Sequence, residues 1–91
     1  MTEEFQTIRN QMINILTEAF APSFLDVIDD SHKHIGHAGH NGKGESHFRI
    51  KIASLAFAGK SRIQGHQMIY EALKPLMPSI HALQIIASSS L

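Results

Sequence analysis

The sequence predicts an α+β domain with helices packed on one face of a three-stranded mixed sheet. Residues 2–20 place apolar side chains at three-to-four spacing, which is typical of an amphipathic helix. Residues 46–54 alternate apolar and polar side chains, as a half-buried strand does. Ser61 and Gln64 form a capping box, which predicts the start of a second helix.

The remaining elements give the order helix, strand, strand, helix, strand. Leu25–Asp30 and Ala82–Ala87 are predicted strands, and Pro75 and Pro78 end the second helix. Because a helical crossover joins the second and third strands, we expect these strands to be parallel. The first two strands should be antiparallel. Packing both helices on one face of this sheet is the economical arrangement.

Single residues predict the helix ends and the side chains that face the core. Thr2 can cap the first helix and Pro22 ends it, while Gly59 turns the chain before the second helix. A break in the second helix is expected near Gly65. The apolar side of this helix should consist of Ile63, Met68, Ile69, Ala72, Leu73 and Leu76. The strand residues predicted to face inward are Leu25, Val27, Phe48, Ile50, Ile52, Leu83 and Ile85, with His47, Arg49 and Lys51 on the opposite face.

Length and composition exclude several classes of protein. A chain of 91 residues predicts one domain over residues 1–91, with a flexible loop at about 31–45 and a frayed tail at 88–91. Eight basic residues balance eight acidic ones, so no net charge attracts the chain to nucleic acid or to an anionic membrane. The acidic start is unlike a targeting signal, and no stretch resembles a membrane span, so we expect a cytoplasmic protein.

Histidine is the unusual feature of the composition. The chain has seven, of which His32, His34, His37 and His40 lie in one glycine-rich segment. Neutral imidazole binds zinc, copper, nickel and iron, and glycines let several rings converge. A solvated loop that binds metal only adventitiously explains the same pattern equally well. The chain has no cysteine, so it cannot build a thiolate site by itself.

The sequence offers no apparatus for catalysis. It contains neither a nucleophile elbow nor a phosphate-binding loop. His32, His34 and His37 have the spacing of the metallo-β-lactamase motif, but Gly36 replaces its aspartate and the chain is too short for that fold. We therefore predict that the protein is not an enzyme.

A nucleic-acid interface is a second hypothesis. Lys60, Arg62, Gln64 and Gln67 lie near the start of the second helix, where backbone N–H groups also favour phosphate. A capped helix with a solvated basic end explains these residues better, because the charge is too sparse for tight binding at physiological salt.

Three motifs in this sequence resemble those of the BolA family. They are the run from Phe57 to Leu73, the run from Asp30 to His40 followed by Glu45–Phe48, and the final Ile80–Leu83. The resemblance implies a fold like the class II KH domain, without its Gly-x-x-Gly loop. It also implies an association with transcription regulation and stress response.

The resemblance further implies a partner and a shared cofactor. In this family a monothiol glutaredoxin and the BolA-like chain hold a 2Fe–2S cluster between them, with a glutaredoxin cysteine and a glutathione thiol as the partner's ligands. Carried over, the ligands of this chain are His81 and His34, with His32 and His37 as alternates for His34. The implied role is in iron–sulfur trafficking or in iron and redox regulation.

Histidine ligation agrees with the absence of cysteine, because two imidazoles and two thiolates form a Rieske-type donor set. The sequence departs from the family where Gly65 and Gln67 flank His66, positions at which the family commonly has arginine. This departure weakens the alternative of a DNA-binding regulator. His66 itself is interpreted as structural. A zinc mode without a cluster and weak homodimerisation are left open.

Overall fold

The fold follows the predicted order of elements. The computed structural model describes residues 7–30 and 47–90. Two α-helices, three strands and two short 3₁₀ helices alternate along the chain, with the bounds α1 Ile8–Phe20, β1 Phe24–Asp29, β2 His47–Ala53, 3₁₀ Leu55–Phe57, α2 Arg62–Ala72, 3₁₀ Lys74–Ser79 and β3 Ala82–Ser88. The predicted α+β class and order are therefore confirmed. The predicted loop at 31–45 lies outside the described residues.

Helix α1 begins later than its apolar pattern predicts. Thr7 has an extended backbone, and its side chain accepts a hydrogen bond from the N–H of Asn10, so α1 begins at Ile8. The prediction of one unbroken helix over residues 2–20 is therefore wrong, because the extended, capping Thr7 interrupts it, and the predicted Thr2 cap lies outside the described residues. Ala21, in the left-handed conformation, ends the helix just before Pro22.

The three strands form a mixed sheet in the order β1-β2-β3. β1 and β2 are antiparallel, with Val27 opposite Ile50. β2 and β3 are parallel, with Ile50 opposite Ile85. Both predicted strand directions are thus confirmed, and α2 with the 3₁₀ helix that follows it forms the crossover connection between the parallel strands.

The hydrophobic core lies between one face of the sheet and the helices. Its buried members come from every layer and are Met12, Leu16, Val27, Phe48, Ile50, Ile52, Phe57, Ile69, Leu73 and Ile80. On β2 the predicted inward residues are buried, whereas Arg49 and Lys51 are exposed on the opposite face. Gln84 and Ile86 of β3 share that exposed face.

Helix α2 begins where the sequence predicts, but two features along its length differ from the prediction. Ser61 and Gln64 form the complete capping box. The helix continues through Gly65, so no break occurs, and an added Cβ at this buried glycine would lie 3.6 Å from a ring carbon of Phe57. Ile63 is 69% exposed, so its predicted place on the apolar side is wrong. It lies two positions before the buried Gly65, which turns its side chain about 200° around the helix, away from the core.

The two outer edges of the sheet differ. The N–H of Asp30 donates to the carbonyl of His47 at 2.8 Å, and alternation of the antiparallel ladder then directs the backbone of Val27 away from β2. The side chain of Arg9 in α1 donates to this Val27 carbonyl at 2.6 Å. The β1 edge is therefore capped by a helix side chain, whereas no described strand pairs with the outer edge of β3.

Strand β3 also extends further than predicted. The carbonyl of Ser88 accepts a hydrogen bond from the N–H of Ser54 at 2.9 Å, so Ser88 belongs to the sheet rather than to a frayed tail. Among the described residues, no helix is both long enough and apolar enough to cross a bilayer.

Candidate metal centre

Two histidines meet where β2 and β3 begin. His47 is the first residue of β2 and lies opposite Ala82, the first residue of β3. His81 immediately precedes β3, and the ring centroids of His47 and His81 are 5.1 Å apart with a 33° angle between the planes. His47 is half-buried and His81 is exposed. Because the strands are parallel, their starts share one end of the sheet, which brings the two imidazoles together.

The residue before His81 fixes its position. Ile80 is extended, and its side chain is buried in the core. Its N–H donates to the carbonyl of Met77, which ends the 3₁₀ helix. The buried Ile80 side chain therefore anchors the chain where His81 emerges, and it leaves the imidazole open to solvent or to a partner.

The same end of the sheet holds both ends of the segment that carries the other predicted ligands. Asp30 and His47 are joined by a backbone hydrogen bond, and the Arg49 guanidinium forms a salt bridge with the Asp30 carboxylate. His34 and its alternates, His32 and His37, lie outside the described residues. Their assignment as ligands stays a prediction, as does that of His81.

The histidine pair is an incomplete donor set. Within residues 7–30 and 47–90, no group of three or more histidine, cysteine, aspartate or glutamate side chains is placed to hold a metal ion. Two neighbouring imidazoles, one of them exposed, can supply nitrogen ligands to zinc or iron, with the rest coming from elsewhere.

Sequence reasoning missed His47. Its position in the β2 alternation assigned it to the polar face of the sheet together with Arg49 and Lys51. The available signal was that His47 and His81 each stand at the start of a predicted strand, and that those two strands were expected to be parallel. Combining the two predictions would have placed the imidazoles at the same end.

The structure divides the predicted nucleic-acid residues between two surfaces. Lys60, Gln64 and Gln67 border one shallow depression beside Glu71. Arg62 lies in a second groove, between α2 and β3, and Lys60 borders the end of that groove as well. The Gln64 side-chain oxygen is occupied, because it accepts the N–H of Ser61 in the capping box. One acidic side chain therefore faces part of the predicted basic surface.

The two residues interpreted as structural have different surroundings. Gly59 has a φ of 76°, which confirms the predicted turn, because this left-handed conformation favours glycine. His66 is half-buried and lines the groove between α2 and β3 with Arg62 and Ile85. It is therefore at the border of the core, away from the His47–His81 pair, and its structural role stays a prediction.

Known proteins are similar to this chain in sequence and in fold. The family model described as BolA, BolA-like protein, matches residues 16–90. A Sinorhizobium protein described as the uncharacterized protein in the cobS 5′ region is 48% identical over 88% of this chain and 84% of its own length. The DNA-binding transcriptional regulator BolA of Escherichia coli is 38% identical over 86% of this chain and 71% of its own length.

The fold agrees with these matches. BolA1 from Arabidopsis thaliana superposes with a TM-score of 0.81 at 31% identity, over 92% of this chain and 93% of that one. The family model, over residues 16–90, spans all three strands of the sheet and helix α2. The chain belongs to the BolA family.

Proposed function

We propose that this protein is an adaptor that binds a monothiol glutaredoxin and shares a 2Fe–2S cluster with it. The observation that carries the proposal is the His47–His81 pair at an open end of the sheet. His81 is the first proposed ligand. His34 is the second, with His32 and His37 as alternates. The partner contributes the thiolates, from its cysteine and from glutathione, because this chain has no cysteine.

Chain geometry permits the two proposed ligands to meet. His34 is four residues beyond Asp30, and an extended chain of that length spans at most about 14 Å. Asp30 is hydrogen-bonded to His47, whose ring contacts that of His81. The anchored end of the segment therefore lies beside the exposed imidazole that we propose as the first ligand.

The residues of this chain would hold the cluster and set its environment. The bound group would supply reversible one-electron chemistry and a centre that can be handed to another protein. His81 is exposed and supplies a neutral nitrogen donor without moving core atoms. His47 is half-buried against it, and we propose that its ring restricts the orientation of the His81 imidazole.

The first test is anaerobic cluster reconstitution of this chain with a monothiol glutaredoxin and glutathione, followed by visible circular dichroism. We expect a spectrum that differs from that of the glutaredoxin homodimer, and we expect His81→Ala to abolish the difference. His66→Ala is the matched control, because it removes a half-buried histidine of the α2–β3 groove. A spectrum that His81→Ala leaves unchanged would refute the His81 assignment.

A second experiment separates the roles of His34 and His47. If His34 is the second ligand, His34→Ala should shorten the lifetime of the heterocomplex cluster far more than His47→Ala. If His47→Ala has the larger effect, His47 is a ligand itself and the His34 assignment is wrong. Zinc that copurifies with the isolated protein at one equivalent would instead favour a partner-independent zinc site.

A nucleic-acid-binding regulator is the second candidate. The observation that favours it is similarity to the Escherichia coli protein named a DNA-binding transcriptional regulator, together with Lys60 and Arg62 at the start of α2. Glu71 beside Lys60 opposes it. Electrostatic binding is strongest at low salt, so filter binding of duplex DNA at about 50 mM salt decides the question. Absence of binding there excludes this candidate.

A further inference from the structure

The outer edge of β3 is an open edge of the sheet. The Ser88 carbonyl accepts from Ser54 of the β2 side, so the alternation of the ladder directs the backbone groups of Leu83, Ile85 and Ala87 away from β2. β3 is the last strand in the sheet order, and no described strand pairs with these groups. An unpaired row of N–H and C=O groups is a template for one more strand.

A groove runs between this edge and helix α2. Arg62 and His66, one helical turn apart, line it on the helix side, and Ile85, Ile86 and Ala87 line it on the strand side. At the end of β3 the groove continues past Lys60 and Ser61 to Ser88. The described side chains that line it include two basic ones, Arg62 and Lys60, and no carboxylate, although Glu71 lies beside Lys60 in the neighbouring depression.

We propose that this edge binds an extended acidic peptide segment of a partner protein as a fourth, antiparallel strand. The peptide backbone would pair with Leu83, Ile85 and Ala87, and antiparallel pairing is the slightly more stable arrangement. Residues directly opposite one another in an antiparallel pair project to the same face of the sheet. The peptide residues that hydrogen-bond to β3 therefore direct their side chains toward α2, where carboxylates meet Arg62 and Lys60.

An acidic peptide fits this edge better than a second copy of the chain or a single-stranded nucleic acid would. A second copy of the chain paired through β3 would bring two grooves of the same sign together, which opposes association. A single-stranded nucleic acid would complement the positive charges but would leave the polypeptide edge unpaired. It would also find only one partly exposed ring among the described residues of this groove, the imidazole of His66, on which to stack its bases. This surface is separate from the His47–His81 pair, so the inference does not rest on the proposed cluster.

The probe is a blocked heptapeptide that alternates glutamate with valine, titrated into the isotopically labelled protein and followed by amide NMR. We expect saturable shifts centred on the amides of Leu83, Ile85 and Ala87. N-methylation of the glutamate amides should abolish binding, because those amides face β3. N-methylation of the valine amides is the matched control and should leave the affinity within about threefold. A peptide with lysine in place of glutamate should not bind.

Two protein variants test the charge of the groove. Arg62→Glu should weaken binding by about tenfold at low salt, because attraction becomes repulsion. It leaves the fold intact, since a carboxylate at the first position of a helix is favourable. Lys51→Glu makes the same charge change on the exposed face of β2 and should change binding less than twofold.

A third variant tests the strand edge itself. Ala87→Pro removes an outward N–H while keeping the ladder to β2, so it should abolish binding in a protein whose circular dichroism is unchanged. Four results would overturn the proposal. They are the absence of saturable binding at millimolar peptide, equal losses from the two N-methylated peptides, dimers through β3 in sedimentation velocity, or a single-stranded oligonucleotide that shifts the same amides at lower concentration.

Discussion

The two ends of the parallel β2–β3 pair have different chemistry. At one end, His47 and His81 bring two imidazoles together, and His81 is exposed. At the other end, Ser54 is 1% exposed, and its hydroxyl donates to the carbonyl of Phe20 at 2.6 Å. The same hydroxyl accepts the N–H of Ala56, and the N–H of Ser54 donates to Ser88.

The two ends of this strand pair therefore have different roles. The Ser54 end stabilises the fold, whereas the histidine end presents side chains that can bind a ligand. The hydroxyl and the N–H of Ser54 are both engaged by other groups of the chain, and a buried polar group without a partner would be destabilising. At the histidine end the His81 side chain is left accessible, so it contributes little to folding. We therefore expect substitutions at the Ser54 end to change the free energy of unfolding and substitutions at the histidine end to change cluster binding.

The largest effect should come from the aromatic pair beside Ser54. Phe57 is 5% exposed, and its ring centroid lies 5.0 Å from that of Phe20. Phe57→Ala should lower the free energy of unfolding by about 3–5 kcal/mol, because it leaves a cavity in the core. Chemical denaturation measures this loss. Leu55→Ala, in the same 3₁₀ helix but 83% exposed, is the matched control and should stay within about 0.5 kcal/mol of the parent.

Removing the Ser54 hydroxyl should have the next largest effect. Ser54→Ala leaves the Phe20 carbonyl and the Ala56 N–H without their partner, so we expect a loss of about 1–3 kcal/mol. Ser88→Ala removes an exposed hydroxyl that donates only to the nearby carbonyl of Ser90, and its loss should be smaller. Equal midpoints for the two variants in urea would contradict the structural role of Ser54.

Gly59 provides a backbone test near the same end. No atom lies within 4 Å of an added Cβ, so Gly59→Ala is sterically free and is opposed only by its φ of 76°. We expect a loss of about 1–2 kcal/mol from backbone strain. Gly59→Asn should cost less, because asparagine tolerates the left-handed region better. If alanine and asparagine destabilise equally in thermal unfolding, the strain interpretation is wrong.

The smallest effect on stability should come from His81, the residue with the largest expected effect on the cluster. His81→Ala removes an exposed side chain and should change the free energy of unfolding by less than about 0.5 kcal/mol. The same variant should lose the heterocomplex spectrum. A loss of stability as large as that of Ser54→Ala would mean that the histidine end also supports the fold.

Local signals in the sequence predicted the parts of the fold that neighbours along the chain determine. The Ser61–Gln64 capping box joins residues three positions apart, and the strand faces follow from alternation. The parallel direction of β2 and β3 also followed, because a helical connection between adjacent strands permits little else. The order of elements therefore needed no information about tertiary contacts.

Contacts between distant residues were not predictable in the same way. The bond from Ser54 to Phe20 joins residues far apart in sequence, and no motif marks either of them. Ile63 was assigned to the apolar side for its residue type, but the face that packs on the core contains Gly65 and Ile69, and Ile63 lies on the other side of the helix. The His47–His81 contact depends on strand register, which the sequence left open.

The hydrogen bond between Asp30 and His47 holds together the two residues that flank residues 31–46. The entropy of joining two anchored points grows only with the logarithm of the length of chain between them, and each doubling costs about 0.6 kcal/mol. Insertions, deletions or substitutions between these anchors should therefore change the free energy of folding very little. The sheet supplies a constant pair of attachment points, and the chemistry between them can diverge without altering the fold.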